Sequence, residues 1–215
     1  MDAVSRAAWK RAFAGAALLA LFAVIGAGTL ALTEWLTRER IAARERVYTL
    51  ETLNAVLAAA RYDNDLMKDL ITVREPELLG TPAPVPIYRA RRNGRPVAAI
   101  LLPVAPDGYS GPIRLMVGIN VDGSVSGVRV TAHRETPGLG DGIEIGKSDW
   151  IRQFTDRSVS DVDEWAVARD GGEFDQLSGA TVTSRAVVEA VRDALLYFDS
   201  HREQIFAAPT EPSPP

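Results

Sequence analysis

Between Arg11 and Glu34 lie 22 residues without a charge, Ala12 to Thr33 (AFAGAALLALFAVIGAGTLALT), in a chain of 215 residues of which 24% are charged. As a helix this run is about 33 Å long, matching the hydrocarbon core of a bilayer, so it predicts a transmembrane helix over 12–33. Trp9 and Trp35 flank it at positions suited to the headgroup layer, and Lys10 and Arg11 can snorkel at its amino-terminal end. The competing reading is a cleaved signal peptide, but the apolar core exceeds the usual length and Ala27 and Ala31 match a cleavage site only loosely, which favours a retained anchor. Arg6, Lys10 and Arg11 precede the run while Arg38, Arg40, Arg44 and Arg46 follow it, so charge counting does not orient it. A tail over 1–11 and a long trailing domain have the form of a signal anchor, with the tail in the cytoplasm and the domain across the membrane.

Composition narrows the chemistry. The chain has no cysteine and two histidines, which excludes disulfides, thiolate nucleophiles, iron–sulfur clusters and histidine-rich metal sites. Any redox chemistry then needs an organic cofactor. A formal net charge of -4 leaves no electrostatic footprint for nucleic acid.

Residues 34–80 read as a juxtamembrane helical region, with Ile41, Leu50, Leu53, Val56 and Leu57 at roughly helical spacing. Thr81 to Pro86 (TPAPVP) cannot be helical, and strands are expected beyond it: Ile87–Arg91 and Val97–Val104 around Asn93-Gly94, then Ile113–Asn120 and Val125–Thr131 around Asp122-Gly123. The loop His133 to Lys147 holds four glycines and one proline, and Ser148 is placed to cap a short helix reaching Phe154. Trp165–Ala168 suggests a further strand. A last helix is expected from about Ser184 to His201, with Val187, Val188, Val191, Ala194, Leu195 and Phe198 on one face. The expectation is an α+β domain over 81–206, a mainly antiparallel sheet with flanking helices, followed by a proline-rich disordered tail over 207–215.

Just before the last helix stands Asp175-Gln176-Leu177-Ser178-Gly179-Ala180-Thr181-Val182-Thr183-Ser184, with four hydroxyl side chains in its last seven residues. A helix amino terminus offers free N–H groups and a positive dipole end, and Gly179 and Ala180 would let an anionic group approach the backbone, so the chemistry suits a phosphate. The plainer reading makes Thr183 or Ser184 a helix cap.

The stretch DQLSGATVTS resembles the flavinylation motif, Asp-x-x-Ser/Thr-Gly-Ala-Thr, of FMN-binding domains in the G subunit of the Rnf electron-transport complex and the C subunit of the sodium-pumping NADH:quinone reductase. His133-x-Glu135-Thr136-Pro137-Gly138-Leu139-Gly140-Asp141 is family-like too, and GATVTSRAVVEAV and ETPGLGDGIE resemble the Rnf protein more. The resemblance implies FMN joined to Thr181 by a phosphoester, made from FAD by a flavin transferase that recognises Asp175, Ser178, Gly179 and Ala180. It also implies that Glu135, Thr136, Gly138 and Leu139 line the flavin and that Thr183 neighbours the phosphate. The function implied is electron relay in an ion-translocating ferredoxin:NAD oxidoreductase of the bacterial inner membrane, among other membrane and peripheral subunits and the lipid bilayer, with no catalytic acid or base. The alternatives are the quinone-reductase component and a cofactor-free envelope scaffold. His133, without a carboxylate close in sequence, reads as structural, and Trp150 and Trp165 as core.

Overall fold

The structure, a computed structural model, describes residues 3–161 and 164–210, with side chains in the first helix at 13, 15–16, 19–34, 37 and from 49 onward. Contacts divide the chain into a unit over residues 1–49 and a second from Leu50. The first helix, α1, runs from Ala3 to Val56. The hydroxyls of Thr29, Thr33 and Thr37 return to the carbonyls of Gly26, Thr29 and Thr33 at 2.9, 2.8 and 2.7 Å, so these polar groups are satisfied inside the helix.

The transmembrane helix expected over 12–33 is corrected here. Among the described residues, no helix is long and apolar enough to cross a membrane. The uncharged run is the middle of α1 and continues without a break into charged sequence, and half of its 22 positions are alanine or glycine, whose side chains add little transfer energy. The flanking Trp9, Lys10, Arg11 and Trp35 lie outside the described side chains.

The second unit is α+β. Six antiparallel strands form its sheet: β1 (Leu70–Val73), β2 (Val85–Arg92), β3 (Arg95–Leu101), β4 (Val104–Ala105), β5 (Ile113–Asn120) and β6 (Val125–Ala132). The order is β1-β2-β3-β5, with β4 continuing along the edge of β5 that β3 occupies and β6 on the other edge. Both expected hairpins form. Asn93 and Gly94 take φ of 51° and 75°, the left-handed pair that a two-residue turn between right-twisted strands requires. At the second turn the Asp122 carboxylate accepts the Ser124 N–H and hydroxyl at 2.9 and 2.7 Å.

Strand alternation separates two cores. Ile87, Ala99, Leu101, Leu115, Val117 and Ile119 face the larger one, while Tyr88, Ala90, Ala98, Ile100 and Met116 face a smaller one closed by Leu53, Val56 and Leu57 at the end of α1. The Val56 carbonyl accepts the Ser126 hydroxyl at 2.8 Å and sits over the paired Gly118 and Gly127, where an added Cβ would come within 3.0 Å of it. Glycine is what lets the helix end seat on the sheet.

The helical reading of 34–80 ends early. After Val56 come a 3-10 turn (Ala59–Arg61), the edge strand β1 and the short helix α2 (Pro76–Leu79). β2 begins at Val85, inside the proline-dense joint, because Pro86 stands where β1 pairs with a strand end. The helix expected after Ser148 is a 3-10 turn, Trp150–Phe154, and the Ser148 hydroxyl does accept the Trp150 N–H at 3.1 Å. The strand expected over Trp165–Ala168 is replaced by one bridge, Val167 to Phe174, and a 3-10 turn over Ala168–Asp170. Trp165 is instead packed among Phe154 and Phe174, with ring centroids 6.5 and 4.7 Å away. The last helix, α3, spans Thr181–Ala207, and the apolar face read from the sequence is buried in the larger core. Of the tail read from 207, Ala208 and Thr210 accept hydrogen bonds from Arg89, and 211–215 lie outside the described residues.

Candidate functional site

The start of α3 is open. Its capping residue is Ala180, which has no side-chain acceptor, and no acidic residue occupies the first turn, so the N–H groups of Thr181, Val182 and Thr183 have no partner within the helix. Gly179 makes the turn into the helix with φ of +77°, and a Cβ there would also press within 3.2 Å of the Leu139 side chain.

Neither hydroxyl expected to cap the helix does so. Ser184 is buried, donating to the Ala180 carbonyl at 3.1 Å and accepting the Leu177 N–H at 2.9 Å. Thr183 is buried too and donates to the Glu135 carboxylate. Both side chains are committed to neighbours because the helix begins earlier, at Thr181, which turns positions 183 and 184 inward. The Thr181 hydroxyl, by contrast, is half-buried and meets no partner among the described residues.

Facing the helix start is the glycine-rich loop. Glu135 is 4% exposed, with one carboxylate oxygen accepting the Ser110 N–H at 2.9 Å and the other the Thr183 hydroxyl. Thr136 turns the chain by accepting the N–H groups of Leu139 and Gly140 at 3.1 and 3.0 Å, and Asp141 accepts that of Gly138 at 2.8 Å. Gly140 must lack a side chain, since a Cβ would lie 2.9 Å from that of Glu135 and 3.2 Å from the Thr183 hydroxyl. His133 does have a carboxylate partner: Nε2 is 2.8 Å from Glu144, while Nδ1 accepts the Glu135 N–H at 3.0 Å. Eleven residues separate that pair, beyond the reach of a local sequence reading.

Loop and helix start enclose a cavity of about 490 Å³, within the range for a cofactor-sized ligand. Of the residues expected from the sequence, Glu135, Thr136, Leu139, Gly179, Ala180, Thr181 and Thr183 line it. Gly138, Asp175 and Ser178 do not. Asp175 is exposed, its N–H bonded to Gln153 at 2.8 Å and its carbonyl accepting the Trp150 indole N–H at 2.6 Å. The cavity also takes in Tyr109, Gly140, Arg169 and Val182. Gly140 stood within the glycine-rich stretch, whereas Tyr109 and Arg169 carry no sequence signal.

Tyr109, Leu139 and Val182 are 69, 51 and 43% exposed, an unusual share for apolar side chains around one cavity. They offer surface to a flat aromatic ring, while the open N–H groups offer donors to a phosphate, so the residues present fit FMN. Among the described residues no group of His, Asp and Glu side chains could hold a metal ion.

Comparison with known proteins agrees with this geometry. The FMN-binding domain family matches residues 108–196, and the RnfG N-terminal region matches residues 5–56. The G subunit of the ion-translocating oxidoreductase complex from Pseudomonas aeruginosa is 48% identical over 209 residues, covering 96% of each chain. Its counterpart in Pseudoalteromonas atlantica is 45% identical over 196 residues, 90% of this chain and 91% of that one, and the counterpart in Vibrio atlanticus 42% over 194 residues, 89% and 92%. Identity at this level along nearly the whole length places the chain in the family of G subunits of the ion-translocating oxidoreductase complex, the Rnf type, whose members are electron-transfer flavoproteins built on an FMN-binding domain.

Proposed function

We propose that this protein carries FMN covalently on Thr181 and relays electrons through it between other subunits of the complex. One observation carries the attachment point: of the hydroxyls that open α3, those of Thr183 and Ser184 are engaged, whereas that of Thr181 is unengaged beside free helix N–H groups in the cavity. In the attachment step the Thr181 oxygen attacks the FMN-side phosphorus of FAD. A phosphodiester forms, the pyrophosphate bond breaks, AMP leaves, and the hydroxyl proton passes to solvent. A flavin transferase performs this step, with Asp175 and Ser178, both outside the cavity, available as recognition residues.

Bound FMN supplies the redox chemistry, and the protein supplies position and surroundings. The Thr181 to Thr183 N–H groups would hold the phosphate. Glu135 ties the loop to α3 through Thr183 and to Ser110, which keeps the two cavity walls at fixed separation. Leu139, Val182 and Tyr109 would give the ring an apolar surface to rest on. Gly138 shapes the loop from outside the cavity. None of these groups needs to exchange a proton for electron relay.

In the Rnf reading the electrons pass between reduced ferredoxin and NAD, and their transfer drives ion movement at the bacterial inner membrane, among the other subunits and lipid. In this reading the flavin domain lies outside the cytoplasm, where it cannot count on a flavin pool and a covalent link removes the dissociation equilibrium. Family membership favours this reading over both the quinone-reductase component and the cofactor-free scaffold. The test is to co-express the full chain with a flavin transferase, denature it and run a gel. A fluorescent band whose FMN maps by peptide mass to Thr181 is expected; a colourless band, or FMN on Thr183 or Ser184, overturns the assignment.

A further inference from the structure

Among the described residues the Arg169 charge acts on the neighbouring Asp170 carboxyl, helping Arg185 to lower its pKa, and has no other partner. The Arg169 backbone is held from two sides. The Arg169 N–H donates to the Gln176 side chain at 3.2 Å, and the next residue, Asp170, pairs with Arg185 through two hydrogen bonds of 2.7 and 3.0 Å. Gly171, with φ of +91°, closes the turn. The guanidinium itself has no hydrogen bond or ion pair among the described residues, yet it lines the same cavity as Thr181.

The placement along α3 is specific. Arg185 lies four residues after Thr181, so both project from one face of the helix, a turn apart. The Asp170–Arg185 pair therefore ties the 3-10 turn to that face, and Arg169 lines the cavity together with the first-turn residues Thr181, Val182 and Thr183.

Charge gives the turn its purpose. A phosphodiester on Thr181 is an anion, and the cavity already holds the buried carboxyl side chain of Glu135. Backbone N–H groups and a helix dipole contribute partial charge only. We propose that Arg169 is the cation that pairs with the flavin phosphate at the start of α3, held in place by Gln176 and by the Asp170–Arg185 pair. The inference rests on the FMN reading above.

A phosphate partner and a ring partner are separable by ligand. The full chain made without flavin transferase is titrated with FMN and, in parallel, with riboflavin, which has the ring and no phosphate, following fluorescence anisotropy. Arg169→Gln is expected to weaken FMN about tenfold, as loss of one charge-assisted contact does, and to leave riboflavin unchanged. Arg169→Lys should recover part of the loss, and the wild-type preference for FMN should fall with added salt while the variant's does not. Equal weakening of both ligands would assign Arg169 to the ring or to the fold, and no weakening of either would leave it solvated; both outcomes overturn the proposal. Failure of the wild-type chain to bind FMN would remove the flavin reading and this inference with it, a result distinguishable from a wild-type chain that binds FMN and a Gln variant that matches it.

Discussion

The two ends of α3 are treated in opposite ways. At the carboxyl end the carbonyls of Gln204, Ile205 and Phe206 are all matched. Arg89, 1% exposed, donates to the carbonyls of Ile205 and Ala208 at 3.0 and 2.6 Å, to the Thr210 hydroxyl at 2.9 Å and to Asp69 at 2.7 Å. Arg91 adds a bond to the Phe206 carbonyl at 2.9 Å and one to the other Asp69 oxygen at 2.8 Å, and its guanidinium lies 5.7 Å from the Phe206 ring centroid. Two cations thus neutralise the negative end of the helix dipole, and Asp69 balances them. At the amino end an alanine stands where a capping side chain is usual, and the N–H groups face a cavity. One helix therefore has an end finished by the protein and an end left for a ligand, and the contrast separates stability from function along a single element.

Four variants or conditions test the contrast. The largest effect belongs to Thr181→Ala, which should abolish covalent flavin completely, read as the absence of fluorescence in a denatured band, while changing stability by no more than about 1 kcal/mol because the residue is half-buried and unbonded. Next is Arg89→Ala at the finished end. It leaves Asp69 and two helix carbonyls without their main partner, and urea unfolding of the full chain should show a loss of about 3–5 kcal/mol. A loss under about 1 kcal/mol would mean that the carboxyl end is no more completed than the amino end.

Thr183→Ala sits between the two. It strips a donor from the buried Glu135 carboxylate, for a cost of about 1–3 kcal/mol, yet flavin should still attach, and Thr183→Ser should restore most of the stability. Loss of flavin in a folded Thr183→Ala protein would break the assignment of roles. The smallest effect is pH-dependent. The Arg185 guanidinium bonded to Asp170 holds that carboxyl below its ordinary value of 3.8, so the pair's contribution is present above that value and is lost as pH falls through the lower folded one. In a carboxyl NMR titration Arg185→Gln should move Asp170 toward the ordinary range, with Arg169 still lowering it slightly; being solvent-exposed, the group should hardly move global stability.

What the sequence made legible follows the range of the forces involved. The hairpins were readable because Asn93-Gly94 and Asp122-Gly123 set their own backbone, needing nothing distant. The buried face of α3 was readable from spacing. Its starting residue was not, since the hydroxyl run suggested a side-chain cap, and only the partners of Thr183 and Ser184 in three dimensions show those hydroxyls turned inward. β1 was missed because four residues give too short a pattern, and its strand character comes from pairing with β2. Trp165 read as core correctly, while the strand around it failed because a single bridge cannot propagate a ladder. In the site, Thr181 was reached by motif. Arg169, Tyr109 and the His133–Glu144 pair depend on loops brought together by the fold and leave no local mark.

The reach of Arg89 across the chain bears on the order of biosynthesis. Its bonds to Ile205 and Thr210 span 116 and 121 residues, so on a ribosome the cation is made long before its acceptors emerge. Until then α3 has no anchor at its far end, and the motif around Thr181 leaves the exit tunnel ahead of the residues that lock it. A chain released short of Ile205 would therefore contain the whole attachment sequence without the clasp at the far end of the helix that carries it.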